Sequence, residues 1–204
     1  MIISLKPVNV AKIVENNKIS KEDQQKALSI IKGTKNVKFE LIFNGKESLY
    51  KLIQEMVSDA DSKINLAQAV GGGNDIYYTN IKEEQSFYQK NSEGDYFLIE
   101  YIPKKWRLTQ ETKKIGSYMC YKAYLDKDSN YAWFTPEIPL NFGPKKYFGL
   151  PGFVLEVQIG GLNIRALEIL LNLKEHAVIK KPTKRKAIKE EEFLKMYKDF
   201  FKDF

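Results

Sequence analysis

The sequence predicts an α+β protein built on one large antiparallel sheet, with short helices near its two ends. Three observations predict it. Aromatic residues make up 13% of the 204, with twelve Tyr and twelve Phe, a bias that suits pleated, half-buried surfaces. Short runs of alternating apolar and polar residues recur between tight turn signals, the pattern of a meander rather than of βαβ units. Helical spacing is confined to the first and last parts of the chain.

Taken in order, Ser20–Gly33 reads as a helix. Ser20 is placed as N-cap, Glu22 and Asp23 sit in the first turn, and Gly33 ends it. From Val37 the period becomes two, with Phe39, Leu41 and Phe43 on one face. Asn44-Gly45 is a strong hairpin signal, and Ser48–Gln54 returns as the partner strand. Val57–Asn74 has a weakly helical middle but reads better as a flexible loop ending in Gly71, Gly72 and Gly73. It is no phosphate loop, because Asn74-Asp75 stand where a Lys-Ser/Thr pair would be needed. Further strands are expected at Ile76–Thr79, Ser86–Gln89, Tyr96–Ile102, Arg107–Thr109, Met119–Leu125, Tyr131–Phe134, Val154–Ile159 and Asn163–Leu173. At the end of the chain Phe193, Met196, Tyr197, Phe200, Phe201 and Phe204 recur at helical spacing, and their aromatic face is expected to pack on the sheet. No repeat or linker divides the chain. Residues 1–204 therefore read as one domain, with an N-terminal helical segment over 1–35 and an amphipathic helix over 188–204.

Composition limits the function classes. No apolar run reaches the length of a membrane helix. The first residues, MIISLKPVNVAKIVENNK, lack a basic region followed by an apolar core, so no signal peptide is read in this chain. The formal charge is +7, and the stretch from Lys180 to Lys189 holds six basic residues. This run reads as a solvated connector. No recognition motif accompanies it, so no nucleic-acid partner is expected.

The segment Trp133–Gly152 spends four prolines (Pro136, Pro139, Pro144, Pro151) and three glycines (Gly143, Gly149, Gly152) among aromatics. Such residues fix a particular loop path. Together with KKIGSYMCYKA (113–123), YAWFTPEIP (131–139) and GPKKYFGLPGFVLEVQ (143–158), it resembles the GLPGLI family of Bacteroidota, also called Porph_ging. Phe153 stands where the family's name has Leu. Cys120, Trp133, Pro136, Pro139, Gly143, Pro144, Gly149, Leu150, Pro151 and Gly152 form the structural signature of the resemblance. It implies a small exported protein of the envelope or periplasm, a class with no established general activity. It also implies a curved, half-barrel or bowl-like sheet with a concave face, as found beside the catalytic domain of some secreted glycan-cleaving enzymes.

The residues supply no catalytic constellation. His176 is the only histidine and Cys120 the only cysteine, and Cys120 reads as a buried structural thiol. No spacing suits a metal, and no cofactor is expected. Glu137, held between Pro136 and Ile138-Pro139, reads as an acceptor for loop N–H groups or as a functional carboxylate. Most aromatics read as core. Tyr147 and Phe148, beside Lys145 and Lys146, have the mixture that an anionic amphiphile would need. With Glu137 they are the candidate ligand-binding residues. The first functional expectation is a non-enzymatic envelope protein binding a peptide, lipid or partner protein. The alternative is a hydrolase, or an accessory domain of a secreted glycan- or peptide-cleaving enzyme.

Overall fold

The computed structural model describes residues 2–7 (by their backbone), 22, 25, 34–54, 65–92, 94–125, 130–159, 162–171, 179–183 and 187–200. Twelve strands form one sheet: β1 (Ile2–Pro7), β2 (Val37–Phe43), β3 (Glu47–Leu52), β4 (Ile76–Asn80), β5 (Gln85–Ser92), β6 (Asp95–Glu100), β7 (Trp106–Ile115), β8 (Tyr118–Leu125), β9 (Tyr131–Thr135), β10 (Phe153–Ile159), β11 (Leu162–Glu168) and β12 (Ile188–Lys189). Helix α1 (Leu66–Gly71) lies between β3 and β4, and α2 (Glu190–Phe200) follows β12. The strand order is β12-β6-β5-β4-β3-β2-β1-β11-β10-β9-β8-β7. Strands β2–β6 and β7–β11 are therefore two up-and-down meanders, with β1 between them, antiparallel to both β2 and β11. Residues 2–7 fall in the segment expected to be helical. They form a strand because the gap between the two meanders offers both edges their missing backbone partners.

The connection from β6 to β7 dictates the curvature. These strands lie ten steps apart in the order, which on a flat sheet is about 48 Å. Only residues 101–105 join them, and that length of chain reaches about 20 Å. The sheet must curl to bring its two ends together, which gives the expected curved, antiparallel form.

Local chemistry explains the turns. In the β2–β3 hairpin the side-chain oxygen of Asn44 accepts from the N–H groups of Lys46 and Glu47 at 2.8 and 2.9 Å, so this residue supplies its own turn. In the segment expected to be loop, Asn65 caps α1 by accepting from the Ala67 N–H at 3.1 Å. Gly72 ends that helix with a positive φ. Within Ser20–Gly33 only Glu22 and Gln25 are described, and both are helical.

Most of the core lies on the concave side. Phe39 stacks on Tyr50 at 5.1 Å and Phe43 meets Phe153 at 4.7 Å, so the two meanders share one apolar interior. A second, smaller core on the other face of β3–β6 comprises Leu49, Tyr78, Phe87 and Leu98, covered by Ile179 and Ala187. The described residues at the two ends of the basic run, Ile179 and Ala187, thus lie on this face. Lys181 donates to Gln85 at 2.5 Å and lies 4.9 Å over the Phe87 ring.

Helix α2 departs from expectation. Phe193 is buried against Phe97 at 5.4 Å, while Leu194, Met196 and Tyr197 are 47%, 51% and 46% exposed. Phe193 is the one buried side chain among the described residues of the helix. Phe201 and Phe204 lie outside the described residues, and so does the side chain of Phe200.

Candidate functional site

The proline-glycine loop joins β9 to β10 and folds back across the concave face. Ile138, Phe142, Tyr147, Phe148 and Leu150 are all buried. Its path is held by backbone bonds from Gly149 N to Asn141 O and from Val154 N to Phe142 O, each 2.9 Å. Two glycines are required by space. A Cβ on Gly143 would lie 2.0 Å from the Tyr147 carbonyl oxygen, and one on Gly152 would lie 2.3 Å from that of Thr135. Phe148 meets Tyr101 at 6.0 Å, next to the end of β6, and Tyr147 meets Trp106 of β7 at 6.3 Å. The loop thus plugs the interior between the sheet's two ends. The concave face is filled by the chain itself.

At the tip of this plug Lys145 and Lys146 point among tyrosines. Lys145 has a positive φ of 54°, uncommon for a residue with a side chain and costly enough to need support from its surroundings. Its ammonium group donates to the Val70 carbonyl of α1 at 2.6 Å and lies 5.9 Å from the Tyr77 ring centroid. The Lys146 ammonium lies 4.3 Å from the Tyr88 ring centroid and 5.4 Å from that of Tyr101. It also pairs with the Glu190 carboxylate at the start of α2. Tyr77 and Tyr88 stack at 5.3 Å on paired strands β4 and β5.

Electrostatics mark the same place. Burial pushes Lys145 down to about 8, helped by the charges of Lys104 and Lys90 and opposed by Asp75. Burial also pushes Lys146 down to about 8, with Lys145, Lys104 and Lys90 adding repulsion and Asp75 pulling the other way. Asp75 pairs with Lys90 at 3.7 Å, and burial raises its carboxyl against the pull of Lys90, Lys145 and Lys146. Burial likewise holds the Tyr77 and Tyr101 phenols above their usual range. Four lysines thus face two carboxylates, Asp75 and Glu190. Partial desolvation without full neutralisation is how anion sites are built.

Glu137 is engaged elsewhere. Its carboxylate accepts the Met119 N–H of β8 at 2.7 Å, and its own N–H donates to Thr135 Oγ1 at 3.3 Å; it is a backbone acceptor, toward a strand rather than a loop N–H. The structure groups Lys145 and Lys146 with Phe148 around Tyr101, and Tyr147 beside Lys104. Sequence reading missed Asp75, Tyr77, Tyr88, Tyr101 and Glu190, which only the strand register and the position of α2 bring to the loop.

The other signature residues have structural surroundings. Trp133 is buried, with Lys113 and Lys122 4.5 and 5.7 Å from its ring centroid. Glu156, paired with Trp133 in register, is buried, accepts a hydrogen bond from Lys113 at 2.5 Å and forms an ion pair with Arg165 at 3.6 Å. Cys120 is fully buried, and burial pushes its thiol up to about 11. His176 lies outside the described residues. Among the described residues no group of three or more His, Cys, Asp or Glu could hold a metal ion, and no helix is long and apolar enough to cross a membrane.

The fold and plug define a curved antiparallel domain stoppered by its own loop. Residues 125–156 match the profile of the Porph_ging family, described as a protein of unknown function. The resemblance read from the sequence is thereby shown over the segment that carries the GLPG turn. No curated protein matches the chain. Among solved structures it is similar to PNGF-II in two crystal forms. For the C2 form the TM-score is 0.50 at 17% identity, covering 80% of this chain and 29% of the other. For the P21 form the values are 0.51, 15%, 80% and 30%. The chain spans under a third of PNGF-II, and the likeness is one of fold.

Proposed function

We propose that this chain is a non-enzymatic, exported protein of the cell envelope, and that it binds the anionic group of a peptide, lipid or partner protein at Lys145 and Lys146. One observation carries the reading: two adjacent lysines, on a loop fixed by prolines and glycines, are held partly desolvated among Tyr77, Tyr88 and Tyr101. A site of that kind gains by accepting a negative charge. The residues that could have served catalysis have other roles, since Glu137 holds a backbone N–H, Glu156 is ion-paired and Cys120 is buried.

Native mass spectrometry of the protein purified from its own cells, after fractionation, tests the reading. The expected result is an envelope-fraction protein carrying a bound mass that denaturation releases and that the double variant Lys145→Gln/Lys146→Gln lacks. A cytoplasmic protein, or a bound mass indifferent to both lysines, would overturn it. The likeness to under a third of a longer chain favours a second reading, in which this domain accompanies a catalytic one as an accessory module. Co-purification with a hydrolase would support that.

A further inference from the structure

The contact between Lys146 and Glu190 joins two parts of the chain that are secured very differently. Lys146 belongs to the plug, which is braced on every side. Glu190 is the first residue of α2, whose described connections to the sheet are slight. Strand β12 pairs with β6 over two residues only, Ile188 with Ile99 and Lys189 with Glu100, and Phe193 is the helix's one buried side chain among those described. One carboxylate oxygen of Glu190 takes both the Lys146 ammonium and, at 3.5 Å, the Tyr88 hydroxyl. The side chains of Lys146 and Glu190 retain 19% and 30% of their exposure, so solvent reaches the pair.

We infer that Glu190 stands in for the carboxylate of a ligand, and that α2 is a latch which a carboxylate-bearing ligand displaces to reach Lys146. This rests on the Lys145–Lys146 reading above and names its ligand class. The donors converging on Glu190 Oε1 are one ammonium and one phenol, a set that satisfies a single carboxylate. The surroundings suit such a ligand: Asp75, paired with Lys90, is the other carboxylate near Lys90, Lys104, Lys145 and Lys146, and the rings of Tyr88 and Tyr101 offer an apolar floor that Glu190 does not use for whatever the carboxylate is attached to. The left-handed backbone at Lys145 and the juxtaposed like charges cost stability. A pair serving only to fasten α2 would gain little from either.

The carboxylate could come from a fatty acid or from a peptide C-terminus, so the test uses laurate and N-acetyl-dialanine, each against its neutral amide. Calorimetric titration of wild type, Glu190→Gln and Lys146→Gln measures affinity, with circular dichroism confirming the fold. The latch predicts that Glu190→Gln tightens binding of one carboxylate by about fivefold or more, because the competing closed state loses its ion pair. It also predicts that the amides do not bind and that Lys146→Gln abolishes binding. The carboxylate bound more tightly identifies the source. Should Glu190→Gln fail to fold, isotope-labelled lysine in the wild-type protein gives a second readout: the Lys146 side-chain resonance shifts with the bound carboxylate and not with its amide. Equal affinity in wild type and Glu190→Gln, with binding still lost in Lys146→Gln, overturns the latch and leaves the lysine site standing. Binding that persists in Lys146→Gln overturns both. If neither carboxylate binds any form and the Lys146 resonance is unmoved, the carboxylate assignment is overturned.

Discussion

The indole N–H of Trp106 donates to the Phe148 carbonyl at 2.9 Å. It ties the first residue of β7 to the plug, and the Tyr147 ring lies 6.3 Å from its own. Because β7 is an outer strand of the sheet, this bond fixes one end of the curved sheet to the material filling it. Trp106→Phe would keep a ring and remove the donor. The expected cost is about 1–2 kcal/mol, the usual result of orphaning one partly buried acceptor. Urea unfolding checks it, and a variant as stable as wild type would show that the plug is held without this tie.

The glycines of the plug should rank by what surrounds them. At Gly152 a side chain meets both a φ of 148° and the Thr135 carbonyl, and at Gly143 it meets the Tyr147 carbonyl. Val at either position should cost about 3 kcal/mol or more, because backbone atoms must move. Gly149 has a φ of 86° but a nearest neighbour at 3.9 Å, the Pro103 Cβ. Gly149→Ala should cost about 1–2 kcal/mol, from backbone strain alone. Thermal melts of the three variants give the order directly, and Gly149→Ala as the worst of them would contradict it.

What the sequence disclosed and what it hid follow from the range of the forces involved. The β2–β3 hairpin was legible because Asn44 makes its turn with its own side chain. That Trp133–Gly152 takes a fixed path was legible because proline and glycine act on their own backbone; that it folds across the concave face was not. Strand β1 was hidden, since its reason for being a strand is two partners, β2 and β11, remote in sequence. Strand β7 was read only over Arg107–Thr109, because an outer strand with a register shift between Leu108 and Thr112 carries mostly polar residues and no clean alternation. Lys145 and Lys146 were found by their aromatic neighbours in the chain. Asp75, Tyr88 and Glu190 reach them only through tertiary structure.

Cys120 should be chemically silent. It is fully buried, its thiol is pushed up to about 11, and a protonated, inaccessible sulfur is a poor nucleophile. A chromogenic disulfide reagent at pH 8 should therefore react only as the protein unfolds, with a rate that follows denaturant. Prompt stoichiometric reaction of the native protein would instead reopen the nucleophile reading set aside above.

Stability should carry the signature of Lys145. Its ammonium is pushed down to about 8, against an unfolded value of about 10.4. Between those values the unfolded chain binds the proton that the folded chain has released, so stability rises with pH across about 8–10.4. The phenols packed around it do not obscure this. Tyr88 is pushed up to about 12 in the folded state, and Tyr77 and Tyr101 are raised as well; their loss of protons near 10 in the unfolded chain is common to both forms and cancels in the difference. Melting temperatures of wild type minus Lys145→Met should climb through the window, the more so because losing the Lys145 charge also relieves the repulsion that lowers Lys146. Parallel curves would mean that Lys145 is better solvated than its contacts indicate.

Helix α2 offers the last prediction. Full packing of its aromatic face would make its removal unfold the domain. In the structure the burial is concentrated at Phe193 on Phe97, while Leu194, Met196 and Tyr197 stay half exposed. Phe193→Ala should then cost about 2–3 kcal/mol, toward the low end for a buried aromatic because much of its environment is one neighbouring ring. Ending the chain after Ile188 should cost only slightly more, since it also removes the Lys189–Glu100 pairing at the sheet edge and the Glu190 contact with Lys146 and Tyr88, a partly exposed ion pair that contributes little. Denaturant melts of the two forms test this: near-equal losses support a singly anchored helix, free to move as a latch must. A truncated protein that no longer folds while Phe193→Ala does would show that α2 is integral to the core, and a latch could not be built from it.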